Sequence, residues 1–289
     1  MNALFASLRA QVERALDDAL AGISPEARAY PGGEAFQAAL EHALKGGGKR
    51  VRPILTLLCA QACGAQAGSE AADDALRAAL AIELLHSYTL VHDDLPSMDN
   101  DTERRGAPSV WAKFGEGQAV LAGDYLQALA FAQVAACRRA AELLPLLTRA
   151  AMQVIHGQVS DIAAAQMPAT QWTPALVGYV FTNKTAELIR CACALGAAAA
   201  SAPETVREAL ADYGTHVGLA FQYVDDLLDA QQSQVGNELN ALAVYGNEAE
   251  AVRETAAYCT RRALKALEAV PGDTTALADF ASALLERLA

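Results

Sequence analysis

Acidic residues are doubled at four places in this 289-residue chain, Asp17-Asp18, Asp73-Asp74, Asp93-Asp94 and Asp225-Asp226, and two of the four are placed for chemistry. Asp93-Asp94 ends an apolar run, ELLHSYTLVHDD, that breaks at Pro96 and is followed by Asp99. Asp225-Asp226 follows an apolar and aromatic stretch and leads to Asp229, which shares a helix face with Asp225. Like charges so placed repel, and a divalent cation between them is the least costly resolution. Mg²⁺ is a hard ion that takes oxygen ligands, so two carboxylates plus anionic substrate oxygens would complete its shell. The other two pairs lie among Ala, Glu and Arg with no third acid in the next turn, and read as solvated helix surface.

Basic residues answer the acids. Lys49, Arg52, Arg104, Arg105 and Lys184 stand beside glycines, breaks or caps rather than on charge-paired helix faces. In KGGGKRVRP three glycines leave backbone N–H groups open to an anion, Lys49 and Arg52 bring charge, and Pro53 can start a helix. The GxxxxGK[ST] spacing is missing and no strand precedes it, so this is not a P-loop; an ordinary connection with solvated basic side chains is the competing reading. His86, two turns above Asp93 on the same face, either joins the basic side of a cavity or is a hydrogen-bonded core residue.

Acid clusters that need Mg²⁺, facing Lys and Arg, suit a substrate whose leaving group is diphosphate. Leu84 and Tyr88 on the apolar wall above Asp93 imply that the rest of that substrate is hydrocarbon. Loss of diphosphate from an allylic carbon would leave a cation that a dry apolar pocket could protect. No GxSxG, Ser-Lys signature or cysteine with a basic neighbour offers a nucleophile.

The elements that must position these groups are helical. Alanine and leucine abound, helical period runs through nearly every segment, and no run of alternating β-branched residues stands out, which predicts an all-α fold. Helices are expected over 2–21, 34–44, a segment opened by Pro53, 71–92, a short element at 108–114, one beginning at Gly117, then 142–159, 174–179, 186–200, 203–230, 246–269 and 274–288, with turns at Ser24-Pro25 and Pro31-Gly32-Gly33. Nothing resembles a linker, so one domain over 1–289 is expected, a layered bundle whose central helix pair presents Asp93 and Asp225 across one cavity.

With 53% apolar and 19% charged residues the chain can bury a large core, and a formal charge of -12 argues against nucleic acid or an anionic membrane as partner. No stretch reaches the about 18 apolar residues of a membrane span, and Met1 to Arg14 lacks the pattern of a signal peptide. Six cysteines form no CxxC pair and read as small buried side chains in a reducing, cytoplasmic setting.

Taken together, GGGKRVRP, LLHSYTLVHDDLPSMDND, ERRG, LAGD, GQVSD, NKT and FQYVDDLLD resemble, in order and spacing, the trans-prenyltransferases, the short-chain isoprenyl diphosphate synthases, and most closely the bacterial farnesyl diphosphate synthases. The resemblance implies an all-helical isoprenoid-synthase bundle around a deep cavity, usually a homodimer. It implies that Asp93 and Asp99 bind two Mg²⁺ ions on an allylic diphosphate with Asp94 in support, that Asp225 holds a third, and that Asp226 and Asp229 orient its waters. Arg104 and Lys184 would grip the same diphosphate, and Lys49, Arg52, His86 and Arg105 would bind isopentenyl diphosphate. Thr185 and Gln222 would steady the allylic cation. Tyr88, as tunnel floor, would stop the product at fifteen carbons; a plain core tyrosine is the alternative.

The family also expects, after the second acid motif, a longer loop with two lysines, whereas DAQQSQVGNELNALAVYG has neither. Losing such a charge-assisted contact costs on the order of 1.5 to 3 kcal/mol. His156 and Asn183 stand where the family favours glycine and histidine. A class I terpene cyclase, a geranyl or geranylgeranyl diphosphate synthase and a non-catalytic subunit of a helical complex are the other readings. The first needs no second diphosphate pocket, and the last has no use for repelling buried acids.

Overall fold

A computed structural model describes residues 2–21, 28–45, 47–231 and 239–287. The Ser24-Pro25 turn and most of the shortened segment after the second acid motif lie outside the described residues.

The fold is all-α. Helix α1 (Asn2–Ala21) and α2 (Gly33–Lys45) are followed by α3 (Val51–Ala62), with Pro53 in its first turn where a missing N–H costs nothing. Helix α4 (Glu70–Asp93) starts at a Ser69 cap that accepts from the Ala72 N–H and ends on the first aspartate of the acidic stretch. After α5 (Val110–Phe114) come α6 (Glu116–Ala135) and α7 (Ala140–Ala165). Helix α8 (Pro174–Val180) passes into a π-helical turn, Phe181–Ala186, and then into α9 (Glu187–Ala199). Helix α10 (Glu204–Gln231), α11 (Ala241–Val244), α12 (Ala249–Leu267) and α13 (Thr275–Glu286) complete the chain.

Burial explains the layering. Leu188, Cys191, Ala192, Cys193, Leu195 and Ala197 of α9 are all but inaccessible to solvent, because α9 is apolar all round and packs on α3, α4, α7 and α10 at once. It therefore lies between the two helices that carry the acid motifs. One apolar cluster extends from Leu8 of α1 to Leu284 of α13, and among the described residues no helix is long and apolar enough to cross a membrane.

Four expectations need correction. The helix expected over 142–159 runs on to Ala165, so GQVSD is helical throughout. The helix expected over 246–269 begins only at Ala249, behind a turn in which Gly246 has φ 66°. A two-residue hairpin, β1 (Glu103–Arg104) against β2 (Ala107–Pro108), interrupts the helices. Its turn residues Arg105 and Gly106 both have positive φ, the geometry of the tight hairpin turns that match strand twist. The fourth concerns Asp73-Asp74: Asp74 is not solvated but 3% exposed, and it accepts the backbone N–H groups of Arg138 and Arg139 at 3.0 and 3.1 Å just ahead of α7.

Candidate active site

The acidic stretch is shaped by how α4 stops. Beyond Asp94 the chain folds back in short turns, with Leu95 N–H donating to the His92 carbonyl, Met98 to Leu95, and Asp99 to Asp93 at 2.9 Å. Asn100 then takes a positive φ and sends the chain away. Asp99 is thereby returned beside Asp93, which simple helical spacing would not achieve.

The three acids end in different environments. Asp94 is 2% exposed and held by Arg104, whose Nε donates to its Oδ1 at 2.9 Å and whose Nη2 also reaches Asp101. Asp99 is exposed. Asp93 is lifted to about 7 by burial, against the pull of Lys184 and Arg104 and reinforced by Asp99 and Asp94. A carboxyl so placed gains most from an added cation.

Lys184 and Thr185 stand in the π-helical turn, a distortion frequent at functional sites. This turn packs on both α7 and α10, and Gly157 of α7 permits the closest approach: a Cβ there would lie 2.5 Å from the backbone nitrogen of Lys184. Lys184 Nζ pairs with Asp161 at 2.5 Å. Burial opposes its charge, but Asp161, Asp93 and Asp99 outweigh that and raise its pKa.

Asp99, Arg104, Asp161, Lys184, Thr185 and Gln222, among others, line a cavity of about 440 Å³, whose lining includes neither Asp93 nor Asp225, so the expectation that these two face each other across one cavity is not met by this cavity. Residues after α4, from the π-helical turn and from α10 thus meet on one chamber. Gln222 carries the connection to the second motif: Thr185 Oγ1 donates to Gln222 Oε1 at 2.8 Å, and Gln222 Nε2 donates to Asp226 Oδ1 at 3.0 Å. The other oxygen of Asp226 accepts the Ala241 N–H at 2.7 Å. Asp226 therefore anchors the start of α11, and burial pushes it up to about 6. Asp225 faces outward from this anchor and is paired with Arg287 at 2.9 Å, while Asp229, one turn on, is exposed.

A second cluster is basic. Arg105 Nη1 donates to the Gly47 carbonyl at 2.5 Å, tying the hairpin turn to the glycine run. Burial first, then the charges of Arg52, Arg105, Arg50 and Arg104, hold His86 well below the ordinary imidazole value. Arg52 is pushed down to about 10 by burial, with Glu83 opposing and Arg105 adding to the shift. Lys49 is exposed and close enough to act on Asp225. Arg52, His86 and Arg105 are thus gathered, with Lys49 toward the second acid motif. Tyr88 lies elsewhere: it is 6% exposed, stacked edge-on with His92 at 5.7 Å, and outside the lining of the acidic cavity.

Three contacts around these clusters were not anticipated. Arg50, 3% exposed and with φ 50°, donates to Glu13 at 2.8 Å and to Glu83 at 2.7 Å. It pins the glycine run to α1 and α4, and a lone Glu83 in an apolar run was the available signal. Asp161 was visible within GQVSD as a partner for a cation. Arg287 carried no signal at all, since only the folded chain brings α13 to α10.

The residues suit magnesium. Asp93 with Asp99 and Asp225 with Asp229 are hard oxygen donors set in repelling pairs. Among the described residues no three acidic, histidine or cysteine side chains close on one point, so an ion here needs oxygens from substrate or solvent as well.

Comparison with known proteins identifies the family. Residues 33–240 match the polyprenyl synthetase family. A short chain isoprenyl diphosphate synthase of Methanocaldococcus jannaschii is 38% identical over 210 residues, 70% of this chain and 61% of that one. A chloroplastic geranylgeranyl pyrophosphate synthase of Arabidopsis thaliana is 38% identical over 207 residues, 68% of this chain and 57% of that one. The matched segment spans about three fifths of the length of these relatives. Among solved structures, an FPP/GFPP synthase from Zymomonas mobilis superimposes with a TM-score of 0.82 at 30% identity, covering 99% of this chain and 98% of that one.

Proposed function

The chain belongs to the polyprenyl synthetase family, and from that membership we propose that it condenses isopentenyl diphosphate with an allylic diphosphate, dimethylallyl or geranyl, to give farnesyl diphosphate and release diphosphate. The observation that carries this reading is the pairing of an acidic cavity with a separate basic cluster. One suits a metal-bound diphosphate that leaves, the other a diphosphate that stays.

Bound Mg²⁺ would neutralise the allylic diphosphate and favour its departure. Asp93 and Asp99, together with Asp225 and Asp229 of the second motif, would hold it. Lys184 and Arg104 would lie on the same leaving group, with Asp94 and Asp226 fixing the positions of Arg104 and Gln222. The allylic C–O bond breaks with its electron pair going to diphosphate. Thr185 Oγ1, oriented by Gln222, would lie near the resulting positive charge. Lys49, Arg52, His86 and Arg105 would orient isopentenyl diphosphate so that its alkene carbon bonds to the cation, and the proton then lost passes to the released diphosphate. A second basic pocket favours elongation over cyclisation of a single substrate.

A fifteen-carbon product rests on Tyr88, bulky, aromatic and buried a turn above Asp93. A twenty-carbon product is the competing reading, since a geranylgeranyl pyrophosphate synthase is among the relatives. A homodimer fits the exposed apolar side chains Val120 and Leu121 of α6 and Met152, Ile155 and Val159 of α7, and a cytoplasmic setting fits six cysteines left as thiols. Incubating the protein with Mg²⁺ and geranyl diphosphate, with and without isopentenyl diphosphate, decides the reaction class. Farnesyl diphosphate only with both supports elongation; hydrocarbon or alcohol from geranyl diphosphate alone supports cyclisation, and no turnover removes both.

A further inference from the structure

Glu83 is a carboxylate in an otherwise apolar stretch of α4. It is 3% exposed and accepts from Arg50 Nη1 at 2.7 Å. Arg50 also donates to Glu13 and to the Leu44 carbonyl, so all three of its side-chain nitrogens are engaged within the protein. It joins α1, α2 and α4 at the start of α3, and it is a support rather than a ligand contact. Stability alone is a poor reason for such a pair, because apolar side chains of similar volume often hold a core as well as buried ions do. The surroundings of Glu83 supply a better one.

Glu83 stands one turn before His86 on the same helical face. Burial, and the charges of neighbouring arginines, work against the guanidiniums of both Arg52 and Arg105, and Glu83 opposes this at each. Neither is otherwise firmly neutralised: Arg52 Nε is buried with no hydrogen-bond partner, and Arg105 leans on the backbone, its Nη1 2.8 Å from where a Cβ at Gly48 would lie. Two acids, Glu13 and Glu83, thus meet three arginines, Arg50, Arg52 and Arg105, which leaves positive charge for an anion. We propose that Glu83 is a positioning residue for isopentenyl diphosphate: fixed by Arg50, it keeps Arg52 and Arg105 together against their mutual repulsion, ready to share one diphosphate. The inference rests on the prenyl-transfer reading, which it deepens by adding the group that assembles the second diphosphate pocket.

Glu83→Gln keeps the shape and an acceptor for Arg50 but removes the charge. Arg50→Met combined with Glu83→Leu removes the whole pair and strands no buried ion, since the Glu13 side chain is 36% exposed and can turn to water. In both proteins KM for isopentenyl diphosphate, and its dissociation constant by calorimetry, are expected to rise about tenfold, while KM for geranyl diphosphate stays within about twofold. A purely structural pair would change the melting temperature and leave both constants of the folded protein as they were. That result in the double variant overturns this inference even if Glu83→Gln does not fold, and tighter binding of isopentenyl diphosphate by Glu83→Gln overturns it too. Failure of the unaltered protein to consume the two substrates together overturns the prenyl-transfer reading and this inference with it.

Discussion

Arg287, at the end of α13, places Nη2 2.9 Å from Oδ1 of Asp225 and its guanidinium 5.5 Å from the ring centroid of Phe221. The last helix thus delivers a cation to the second acid motif, the group that would otherwise attract a metal ion there. Both side chains are about 31% exposed, so the pair is screened by solvent and weak enough to be displaced. Arg287→Ala should lower the Mg²⁺ concentration that half-stabilises the protein against heat in the presence of inorganic diphosphate, by about two- to fivefold. An unchanged or raised midpoint would mean that Arg287 does not compete for the carboxylate.

Asp93 gives a pH dependence whose sign is fixed. Its folded value of about 7 lies above its ordinary value of 3.8, chiefly through burial. Between those values the folded state holds more protons than the unfolded one, so stability falls as pH rises across that window and stays at the lower level above it. Asp226, lifted to about 6, acts in the same sense. Without metal, the melting temperature should fall from pH 5 to pH 8. Asp93→Asn should flatten that slope and melt about 2 °C or more higher than the unaltered protein at pH 8. A melting temperature that rises over the same range would contradict the assignment.

Product length should respond to Tyr88. The ring is buried, and it is braced by His92, which sits 3.0 Å from the Val120 carbonyl in space left by Gly123. Tyr88→Ala opens room along the apolar face of α4 above Asp93, and chromatography of the products should show a shift from fifteen to twenty or more carbons. An unchanged distribution would leave Tyr88 as a core side chain.

Helices and acid motifs were legible in the sequence because their signals are local: apolar periodicity and Pro96 after Asp93-Asp94. Asp74 was misread because its role is tertiary. It sits on a helix whose neighbours look solvated, yet it accepts two backbone N–H groups from the approach to α7. The hairpin at Arg105-Gly106 was missed for a related reason, since two-residue strands leave no periodicity to detect. Arg287 and the Arg50–Glu83 pair depend on which helices meet, and one-dimensional spacing carries no record of that.

The central claim is that carboxylates from α4 and α10 act on one diphosphate. Calorimetric titration of inorganic diphosphate in Mg²⁺ into the unaltered protein, Asp93→Asn, Asp225→Asn and the double variant tests it most directly. Acids serving one ligand should be coupled, the double variant losing less affinity than the two single losses combined by about 1 kcal/mol or more. Losses that add to within about 0.5 kcal/mol, or Mg²⁺-dependent binding untouched by either substitution, would show that the two motifs do not share a site.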